Sequence, residues 1–401
     1  MKREAEYDVA IIGGGLAGAS LAVALAPGGK RIALIEAVPF RQAEPEWDER
    51  TIALNAASRR IFENLGVWQA MRPDAGPILA THISERGRFG VARFTAKEAG
   101  EEALGYNMPM RAIGAALWRS LKSAPNVELI CPAQLMTLDV QATHVALGLD
   151  NEKRLSAKLV VAADGAQSKV RKLLGIGASL RDYGQTAVLS TVKPERPHQG
   201  IAYERFTEDG PIAVLPRPGR HCALVWTVPT GKAAGMLAWS DREFLENLHE
   251  AFGHRLGRFL QCGRRQGYPL AQVISDRLTA KRVIFAGNAA QTLHPVAAQG
   301  FNLGLRDVAT VAELLAGEGD PGAPELLAEY ESRRAVEREK VAGFTDQLVR
   351  MFSNAVPGLS EARHLGLLAL DLLPPIKAAV MRQNLGYAGA TPELARAHTS
   401  R

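Results

Sequence analysis

Apolar and polar residues follow two different periods along this chain. Near the N-terminus the apolar run "YDVAII" precedes a glycine-rich turn and the Ala/Leu-rich stretch "LAGASLAVALA", and a second apolar run, "RIALIE", follows. Uninterrupted apolar runs of this length are typical of buried strands, and the Ala/Leu-rich stretch is typical of a helix. The order predicts a strand, a turn, a helix and a second strand.

Two later segments repeat this order. In "KLVVAADGAQSKVRKLL" an apolar run precedes the turn Asp164-Gly165 and a short helix with a capping residue near Ser168. In "RVIFAGNAAQTLHPVAAQGFNLGLRD" an apolar run precedes a loop to about Gln299, and a helix is predicted to begin near Gly300. Strands that alternate with helices in this way predict an α/β fold.

Between Tyr183 and Leu278 the period changes. The segments "TAVLSTV", "GPIAVLP" and "HCALVWTVP" tend toward alternation and are separated by Pro and Gly, which predicts a mainly antiparallel sheet. The stretch "PELLAEYESRRAVEREKVAGFTDQLVRMFS" then predicts a long amphipathic helix. The final apolar run, "HLGLLALDLLPPIKAAVMRQNLGY", is interpreted first as core packing and second as a peripheral membrane or partner contact. A loose tail is expected from about Ala388.

Composition narrows the class of protein. Of the 401 residues, 47% are hydrophobic and 22% are charged, which is typical of a globular protein of about two domains. An excess of 48 Lys and Arg over 42 Asp and Glu gives a net charge of +6, but these residues are scattered. Nucleic-acid binding is therefore not expected, whereas a weak attraction to anionic lipid or to cofactor phosphates fits this charge.

Neither a metal site nor a membrane span is predicted. The three cysteines, Cys131, Cys222 and Cys262, lie far apart and form no CxxC pair, so a reducing cytosol fits better than a disulfide framework or a zinc site. The uncharged stretch from Val9 to Ala26 resembles a signal peptide only superficially. Three acidic residues precede it, and its glycines are spaced as in a phosphate-binding turn. We expect a cytoplasmic protein that is not integral to a membrane.

The first turn has the spacing of a dinucleotide-binding fingerprint, Gly13-x-Gly15-x-x-Gly18. Gly13 allows a tight turn, Gly15 lets a pyrophosphate approach the backbone, and Gly18 lets the helix pack closely on the strand. The helix N-terminus offers free N–H groups to the phosphates. Glu36, at the end of the second run, is placed to bond ribose hydroxyls and would repel a 2′-phosphate, which leaves NAD and FAD open.

The three segments together resemble the three fingerprints of the single-component, FAD-dependent aromatic hydroxylases. The first turn, the Asp164-Gly165 turn and the Gly287-Asn288 turn occur in the order of that family. The segments "GNAAQTLHP", "QGFNLGLRD" and "HQGIAYERFTEDGPIAVLP" are similar to its ubiquinone-biosynthesis branch, and the resemblance extends from Tyr7 to about Tyr387. It implies an α/β fold with a Rossmann-like FAD-binding domain, an interleaved, mainly antiparallel substrate sheet and C-terminal helices.

The resemblance also implies which residues hold FAD. The first turn and Glu36 would hold the ADP half, and Leu135 would lie near the adenine. Asp164 would help to position the cofactor near the path of transient NAD(P)H. The helix start in the third segment would face the anionic flavin with backbone N–H groups. The implied cofactor residues are Gly13, Gly15, Ala17, Gly18, Glu36, Arg50, Arg111, Leu135, Asp164, Gly165, Gly287, Asn288, Pro295, Gly300, Phe301, Asn302 and Leu303.

Two positions depart from the broader family, which usually has Asp in place of Asn288 and His in place of Gln291. We interpret the pair as a marker of the branch. The amide oxygen of Asn288 still accepts a hydrogen bond from a ribityl hydroxyl but supplies no charge. Flavin affinity or potential is therefore expected to differ from that of the family.

The family pattern divides the chain into four parts. Residues 1–180 are the first part of the FAD-binding domain, with some strands of the substrate domain near 76–110. Residues 181–278 are the substrate sheet, residues 279–345 complete the FAD-binding domain, and residues 346–401 are a C-terminal helical segment and tail. No catalytic side chain is assigned, and the candidate substrate contacts are His198, Tyr203 and Pro295.

The resemblance implies hydroxylation of a polyprenylated phenol of the 2-polyprenyl-6-methoxyphenol type in ubiquinone biosynthesis. In the family NAD(P)H reduces FAD, O₂ adds to give a C4a-hydroperoxyflavin, and one oxygen atom passes to the ring. A membrane-resident substrate would bring the protein to the inner membrane face.

Three alternatives stay open. The first is a sibling enzyme that hydroxylates another ring position. The second is a flavin enzyme of another reaction type, such as a halogenase or a prenyl reductase, although the chain has no WxWxIP-like halogenase segment. The third is a flavin-bound scaffold among other proteins of the ubiquinone pathway.

Overall fold

The strand, turn, helix and strand predicted near the N-terminus are present. Strand β1 (Ala5–Ile12) leads into helix α1 (Leu16–Leu25), and β2 (Ile32–Ile35) follows. All four residues of β2 are buried, which explains its uninterrupted apolar sequence, since parallel strands covered on both faces have no solvent side. The computed structural model describes residues 5–40, 50–88, 90–294, 299–352 and 373–396.

The other elements follow in chain order. The remaining strands are β3 (Thr51–Asn55), β4 (Gly76–Ile78), β5 (Ala80–Glu85), β6 (Val91–Thr95), β7 (Gly105–Pro109), β8 (Val127–Ile130), β9 (Leu135–Val140), β10 (Val145–Leu149), β11 (Arg154–Ala162), β12 (Ala178–Pro194), β13 (Ile201–Phe206), β14 (Pro211–Pro216), β15 (Cys222–Pro229), β16 (Phe259–Cys262), β17 (Gln266–Ser275), β18 (Thr279–Ala280), β19 (Val283–Phe285) and β20 (Gln291–Thr292). The remaining helices are α2 (Ala56–Asn64), α3 (Trp68–Met71), α4 (Ala96–Ala99), α5 (Met110–Lys122), α6 (Lys169–Leu173), α7 (Thr230–Ala238), α8 (Asp241–Phe252), α9 (Gln299–Leu314), α10 (Pro324–Phe352) and α11 (Pro374–Asn384).

The first sheet brings the three predicted turns to one edge. Its main strand order is β18-β19-β11-β1-β2-β8, and β10 and β9 extend it from β11. Strand β1 is parallel to β11, and β11 is parallel to β19. These are the three strands that precede the predicted turns. Because parallel strands end at the same edge of a sheet, the three turns lie together there.

The second sheet is mainly antiparallel and draws on two separate parts of the chain. Its main order is β20-β17-β12-β15-β14-β13-β5-β6, with β16 also paired to β12. Strands β13 and β5 are parallel, and the other neighbours are antiparallel. A small third sheet, β3-β7-β4, joins the two larger ones, and Asn107 Nδ2 on β7 donates to the Pro216 carbonyl oxygen of β14 at 3.1 Å. The predicted fold class is confirmed.

Two hydrophobic cores hold these layers together. The larger core packs the first sheet against α1, α5 and α9. The second core lies between one face of the second sheet and helices α7 and α8. Helix α8 starts with a capping box formed by Ser240 and Glu243. Its buried residues Phe244, Leu248 and Phe252 recur every fourth position and so form one apolar face.

The C-terminal tail differs from the expectation. Residues Glu393–Ala395 form a 3₁₀-helix, and Asn64 Nδ2 on α2 donates to the Leu394 carbonyl oxygen at 2.7 Å. Ala395 is buried. A loose tail from Ala388 is therefore wrong for residues 388–396, because Leu394 and Ala395 pack against the larger core and backbone groups add hydrogen bonds.

Only the later part of the last apolar run lies within the described residues. Its part from 364 to 372 lies outside the described residues, and its later part forms α11. Among the residues described, no helix has both the length and the hydrophobicity needed to cross a bilayer.

Candidate functional site

The first glycine turn, between β1 and α1, has little room for side chains. Gly13 has a φ of +103°, and a Cβ atom there would lie 2.5 Å from the Ala163 carbonyl oxygen. A Cβ atom at Gly18 would lie 1.9 Å from the Gly13 carbonyl oxygen. Packing therefore requires glycine at both positions. A Cβ atom at Gly15 would meet open space, so Gly15 borders room for a ligand.

The Glu36 carboxylate fixes this turn from the end of β2. Its Oε2 accepts the Gly14 N–H at 2.5 Å, and its Oε1 accepts the Val38 N–H at 2.8 Å. An ionised carboxylate has about four acceptor positions, so Glu36 retains capacity for the hydroxyls of a ribose.

Asp164 follows β11 and lies against the first turn. A Cβ atom at Gly13 would lie 3.0 Å from the Asp164 Cα. The Asp164 Oδ2 accepts the Val170 N–H at 3.1 Å, whereas its Oδ1 is buried and has no hydrogen-bond partner. Leaving such an atom unpaired costs free energy. A ligand hydroxyl would satisfy Oδ1, which fits the polyhydroxylated ribityl chain of FAD.

Gly287 connects the first and third segments. It has a φ of +60°, and a Cβ atom there would lie 3.1 Å from the Ala17 Cβ. A Cβ atom at Gly304, in α9, would lie 2.9 Å from the Gly287 Cα. Asn288 follows with an exposed side chain. The three predicted segments thus converge on one site, which we call the cradle and define by Gly13–Gly18, Asp164–Gly165 and Gly287–Asn288.

The start of α9 offers backbone groups to the cradle. Phe301 stacks on Phe62 with ring centroids 6.3 Å apart, and Leu303 is buried. Asn302 Oδ1 accepts the Asn55 N–H at 3.0 Å. With these side chains engaged elsewhere, contact with a cofactor would come from their N–H groups.

Helix α1 also starts at the cradle. Its N-cap residue, Gly15, makes no side-chain capping bond, so its first N–H groups remain available to an anion. Pro295, expected beside the flavin ring, lies outside the described residues.

A buried ion pair below Gly287 was not predicted from the sequence. Asp307 Oδ2 accepts the Gly287 N–H at 3.0 Å and the Gln291 Nε2–H at 2.6 Å. Asp307 Oδ1 accepts a hydrogen bond from Arg334 Nε at 2.8 Å, and both side chains are 2% exposed. The pair holds the Gly287 turn in place from α9 and α10. The available signal was the Arg306-Asp307 pair between the apolar residues of α9.

Arg50 and Arg111, two of the implied cofactor residues, lie close together. The Arg50 carbonyl oxygen accepts the Met110 N–H at 3.0 Å, one residue before Arg111. Arg111 Nη2 lies 2.9 Å from Asp74 Oδ1. The Arg50 guanidinium lies 4.7 Å from the centre of the Tyr268 ring, a cation–π contact. Arg50 therefore links the start of β3 to β17 of the second sheet.

Leu135 has its side chain inside the larger core, where it is 3% exposed. A contact with adenine at this position would therefore come from the backbone. The predicted cofactor roles of Leu135, Glu36 and the two arginines stay predictions.

The second sheet has one face turned toward the half of the molecule that contains the cradle. Paired residues share a face, and the pairs Ala187–Tyr268, Ala187–Thr227 and Leu189–Val225 place these side chains together. Because Arg50 stacks on Tyr268, this face points toward the cradle side. We call it the roof face. One row across it consists of Leu189, Val225, Ala213, Glu204 and Ile83.

All five residues of that row are partly exposed. The opposite face, by contrast, carries the fully buried core residues beneath α7 and α8, among them Val188, Ile212 and Leu224. Four of the five roof residues are apolar. This row therefore offers a partly accessible, largely apolar strip, while Ala187 and Thr227 on the same face are buried. At its Ile83 end the row packs against Val380 and Met381 of α11.

Tyr203, a candidate substrate contact, lies on the face opposite the roof face. It pairs with Val214 and His82, and its ring contacts the Phe252 ring of α8 with centroids 5.8 Å apart. Burial, together with the charge of nearby Arg255, lowers the pKa of the adjacent His82 to about 4, and both rings belong to the packed face beneath α8. This placement speaks against a substrate contact by Tyr203, because α8 covers that face.

Both ring nitrogens of His198 form hydrogen bonds within the surrounding loops. Its Nε2 lies 3.0 Å from the Arg217 carbonyl oxygen and 3.1 Å from that of Gly219. Its Nδ1 accepts the Gly200 N–H at 3.1 Å. With Nε2 protonated, both ring nitrogens are satisfied, which is typical of a histidine that holds a loop.

No metal site is evident in the described parts of the chain, where no three His, Cys, Asp or Glu side chains gather in a possible ligand set. The three cysteines are free thiols.

Comparison with known proteins places this geometry in context. The family model described as "FAD binding domain" matches residues 6–345. The ubiquinone hydroxylase UbiL of Rhodospirillum rubrum is 37% identical over 96% of this chain and 91% of its own length. The 3-demethoxyubiquinol 3-hydroxylase of Escherichia coli is 32% identical over 94% of this chain and 98% of its own length.

The fold is also found among solved structures. The p-nitrophenol 4-monooxygenase PnpA from Pseudomonas putida superimposes with a TM-score of 0.79, covering 96% of this chain and all of that chain. Their sequences are 18% identical, so this likeness concerns the fold alone.

Proposed function

Since this chain belongs to the FAD-binding family of aromatic monooxygenases, among the ubiquinone hydroxylases, we propose that it adds one oxygen atom to a polyprenylated phenol. The enzyme is a FAD-dependent ring hydroxylase of ubiquinone biosynthesis that uses NAD(P)H and O₂. The substrate that we propose is of the 2-polyprenyl-6-methoxyphenol type, because the segments quoted above resemble those of 2-polyprenyl-6-methoxyphenol hydroxylase.

One observation carries the proposal: the cradle has an unpaired buried carboxylate oxygen, and an apolar sheet face points toward the same half of the molecule. The cradle suits a polar, anionic cofactor, whereas the roof face suits an apolar ring with a lipid tail. A hydroxylase needs a cofactor site and an apolar substrate site in the same part of the molecule.

The cradle residues would hold FAD in the following way. The Gly13–Gly18 turn and the start of α1 would receive the pyrophosphate, Glu36 the ribose and Asp164 Oδ1 a ribityl hydroxyl. The Gly287 turn, fixed by Asp307, would support the ribityl chain from the other side. Bound FAD supplies the redox chemistry, since it takes electrons from NAD(P)H and activates O₂.

The roof face would position the substrate ring and exclude water. Its apolar row would shelter the reacting atoms, which limits the loss of activated oxygen to solvent. The Arg50–Tyr268 contact would close the space between roof and cradle on one side.

The proposal is tested by anaerobic reduction of the FAD-loaded protein with NADH or NADPH. The measurement is made with and without a short-chain 2-prenyl-6-methoxyphenol, and oxygen is then admitted. We expect faster reduction with the phenol and a product that is heavier by one oxygen atom. Release of hydrogen peroxide with the phenol unchanged would contradict the proposed substrate.

A second candidate is the same chemistry at another ring position. Two relatives that match almost the whole chain are named for ubiquinone hydroxylation, and one of them is named for the 3-position. Nuclear magnetic resonance of the isolated product distinguishes the ring positions. If the phenol is unchanged and the protein instead retains other enzymes of the pathway in pull-down experiments, the scaffold alternative would be favoured.

We further propose that the protein meets its lipid-tailed substrate at a membrane surface. Leu373 and Ile376, at the start of α11, are 46% and 47% exposed. Sedimentation with anionic phospholipid vesicles tests this contact. Equal sedimentation of the wild type and a Leu373→Ser, Ile376→Ser variant would contradict a role for this end of α11.

A further inference from the structure

Glu204 is the one acidic residue in the apolar row of the roof face. On β13 it lies directly between Ala213 of β14 and Ile83 of β5. Its strand neighbours on the same face, Ala202 and Phe206, are buried and apolar. A carboxyl group among such neighbours does not contribute to packing, so its presence calls for a chemical reason.

The Glu204 carboxyl has no partner within the described residues. It forms neither a hydrogen bond nor an ion pair there, and burial is the cause that raises its pKa, to about 7. The residue as a whole nevertheless keeps some accessible surface. Because Glu204 belongs to the row of the roof face, the accessible part of the residue lies on the cradle side of the sheet.

The charged groups on the roof side of Glu204 do not neutralise it. Glu85 lies two residues beyond Ile83 on the same face of β5, and it carries the same sign of charge as Glu204. Arg217, at the end of β14, donates to Thr191 Oγ1 at 3.0 Å.

Lys377, Arg93 and Arg205 on the neighbouring elements also do not neutralise the Glu204 carboxyl. On the packed helix α11, Lys377 is bound to Glu98 at 3.0 Å. Arg93 and Arg205 alternate with the row and therefore lie on the opposite face of the sheet. The Glu204 carboxyl is therefore left to exchange its proton with whatever occupies the space beside it.

We propose that Glu204 is a catalytic base that takes the hydroxyl proton of the phenol; this rests on the proposed function. The phenol O–H bond breaks, its proton goes to a carboxylate oxygen of Glu204, and the electron pair stays on the phenol oxygen. The ring becomes more electron-rich and so a better nucleophile toward electrophilic oxygen. The transfer itself needs neither an oxidant nor a reductant.

The position of Glu204 suits this transfer at neutral pH. A base is most effective when its pKa lies near the working pH, and the carboxyl exchanges protons near pH 7. A free phenol ionises near pH 10, so without a base few substrate molecules would be ionised. The apolar row holds the ring beside the base and leaves the carboxylate as the proton acceptor.

The test compares Glu204→Gln, which keeps the shape but accepts no proton, with the exposed control Glu208→Gln. We expect the rate of hydroxylation by Glu204→Gln to fall roughly 100-fold at pH 7.5, with unchanged FAD content and anaerobic reduction. The wild-type rate should rise through about pH 7, and this rise should be absent from the variant. Glu204→Asp should recover part of the rate.

A more acidic substrate distinguishes a catalytic role of Glu204 from a purely structural one. A short-chain prenylphenol with an electron-withdrawing group, already ionised at pH 8, should be hydroxylated by Glu204→Gln at close to the wild-type rate. Equal defects with the ordinary and the acidic phenol, or an unchanged pH profile, would overturn the assignment of Glu204. Failure of the wild type to hydroxylate any prenylated phenol would instead overturn the proposed function, and the assignment with it.

Discussion

Three buried or half-buried carboxylates of this chain differ in how their charge is balanced. Asp307 is paired with Arg334 and accepts two further hydrogen bonds. Asp164 has one oxygen satisfied and the other unpaired. Glu204 has no partner in the described structure and a raised pKa. The first carboxylate stabilises the fold, whereas the other two keep capacity for a ligand or a proton.

Asp164→Ala is expected to weaken FAD binding roughly 10- to 100-fold, because a charge-assisted hydrogen bond contributes about 1.5–3 kcal/mol. Asp164→Asn is the matched control, since its amide oxygen still accepts the Val170 N–H. Quenching of flavin fluorescence during titration of the apoprotein gives the dissociation constants. Equal affinities for wild type and Asp164→Ala would mean that Oδ1 faces no ligand.

Glu204→Gln is expected to stabilise the protein at pH 8 and not at pH 5. The folded-state pKa is raised from 4.5 to about 7, so ionisation of this group costs folding free energy as pH rises between those values, and the cost is fully present above pH 7. After allowance for its partial exposure, the expected gain is about 2 kcal/mol. Thermal unfolding at the two pH values measures it, with Glu208→Gln as control; an increase of equal size at pH 5 would contradict this origin.

Asn288→Asp is expected to change the flavin potential. A carboxylate beside the ribityl chain would add negative charge near the cofactor, which disfavours the anionic reduced flavin and lowers the potential. Spectroscopic titration against a dye of known potential measures the shift, and Asn288→Gln serves as the neutral control. An unchanged potential and affinity would count against the interpretation of Asn288 as a tuning residue.

At the scale of elements, α10 clamps the third segment onto the first sheet. Arg334 on this helix reaches Asp307 on α9, which in turn holds the Gly287 N–H. Tyr330, one turn earlier, donates to the Phe285 carbonyl oxygen of β19 at 2.9 Å. The long helix therefore supports the cradle through two separate buried hydrogen bonds, although neither residue lines it.

Arg334→Met is expected to destabilise the protein by about 3–5 kcal/mol, because it leaves the buried Asp307 carboxylate without its cation. Arg333→Met is the matched control on the preceding residue of α10. Its partners Glu313 and Glu329 lie near the surface, so its loss should cost at most about 1 kcal/mol. Thermal unfolding of both apoproteins tests the difference, and similar losses would mean that the buried pair adds little.

Some elements could be predicted from local pattern and others could not. The strands before the three turns and helix α1 follow from uninterrupted apolar runs next to glycines. Strand β12 extends over 17 residues, more than its alternating part indicated, because its first half is exposed and has no hydrophobic pattern. The docked tail near Leu394 could not be predicted, since Leu394 and Ala395 alone give no periodic apolar pattern and the other contacts use backbone carbonyl groups that every sequence has.

At the scale of the whole molecule, the cradle could be predicted and the roof face could not. Glycine spacing and a terminal acid are local signals of a phosphate-binding turn, and the family resemblance ordered the three segments. The roof face depends on register. Because side chains alternate along a strand, a shift of one residue in β13 would exchange Tyr203 for Glu204, and the sequence alone selected Tyr203.

The order of strands in the first sheet also has a consequence for synthesis of the protein. Strand β19 inserts beside β11 only after Val283 has been made, and Gly287 then meets Ala17. In the second sheet, one edge of β5 stays unpaired until β13 has been made, and β13 lies more than a hundred residues later. Unpaired edges of this kind invite aggregation. A nascent chain on the ribosome therefore cannot complete its cofactor site early, and the edge of β5 stays unpaired until β13 has emerged.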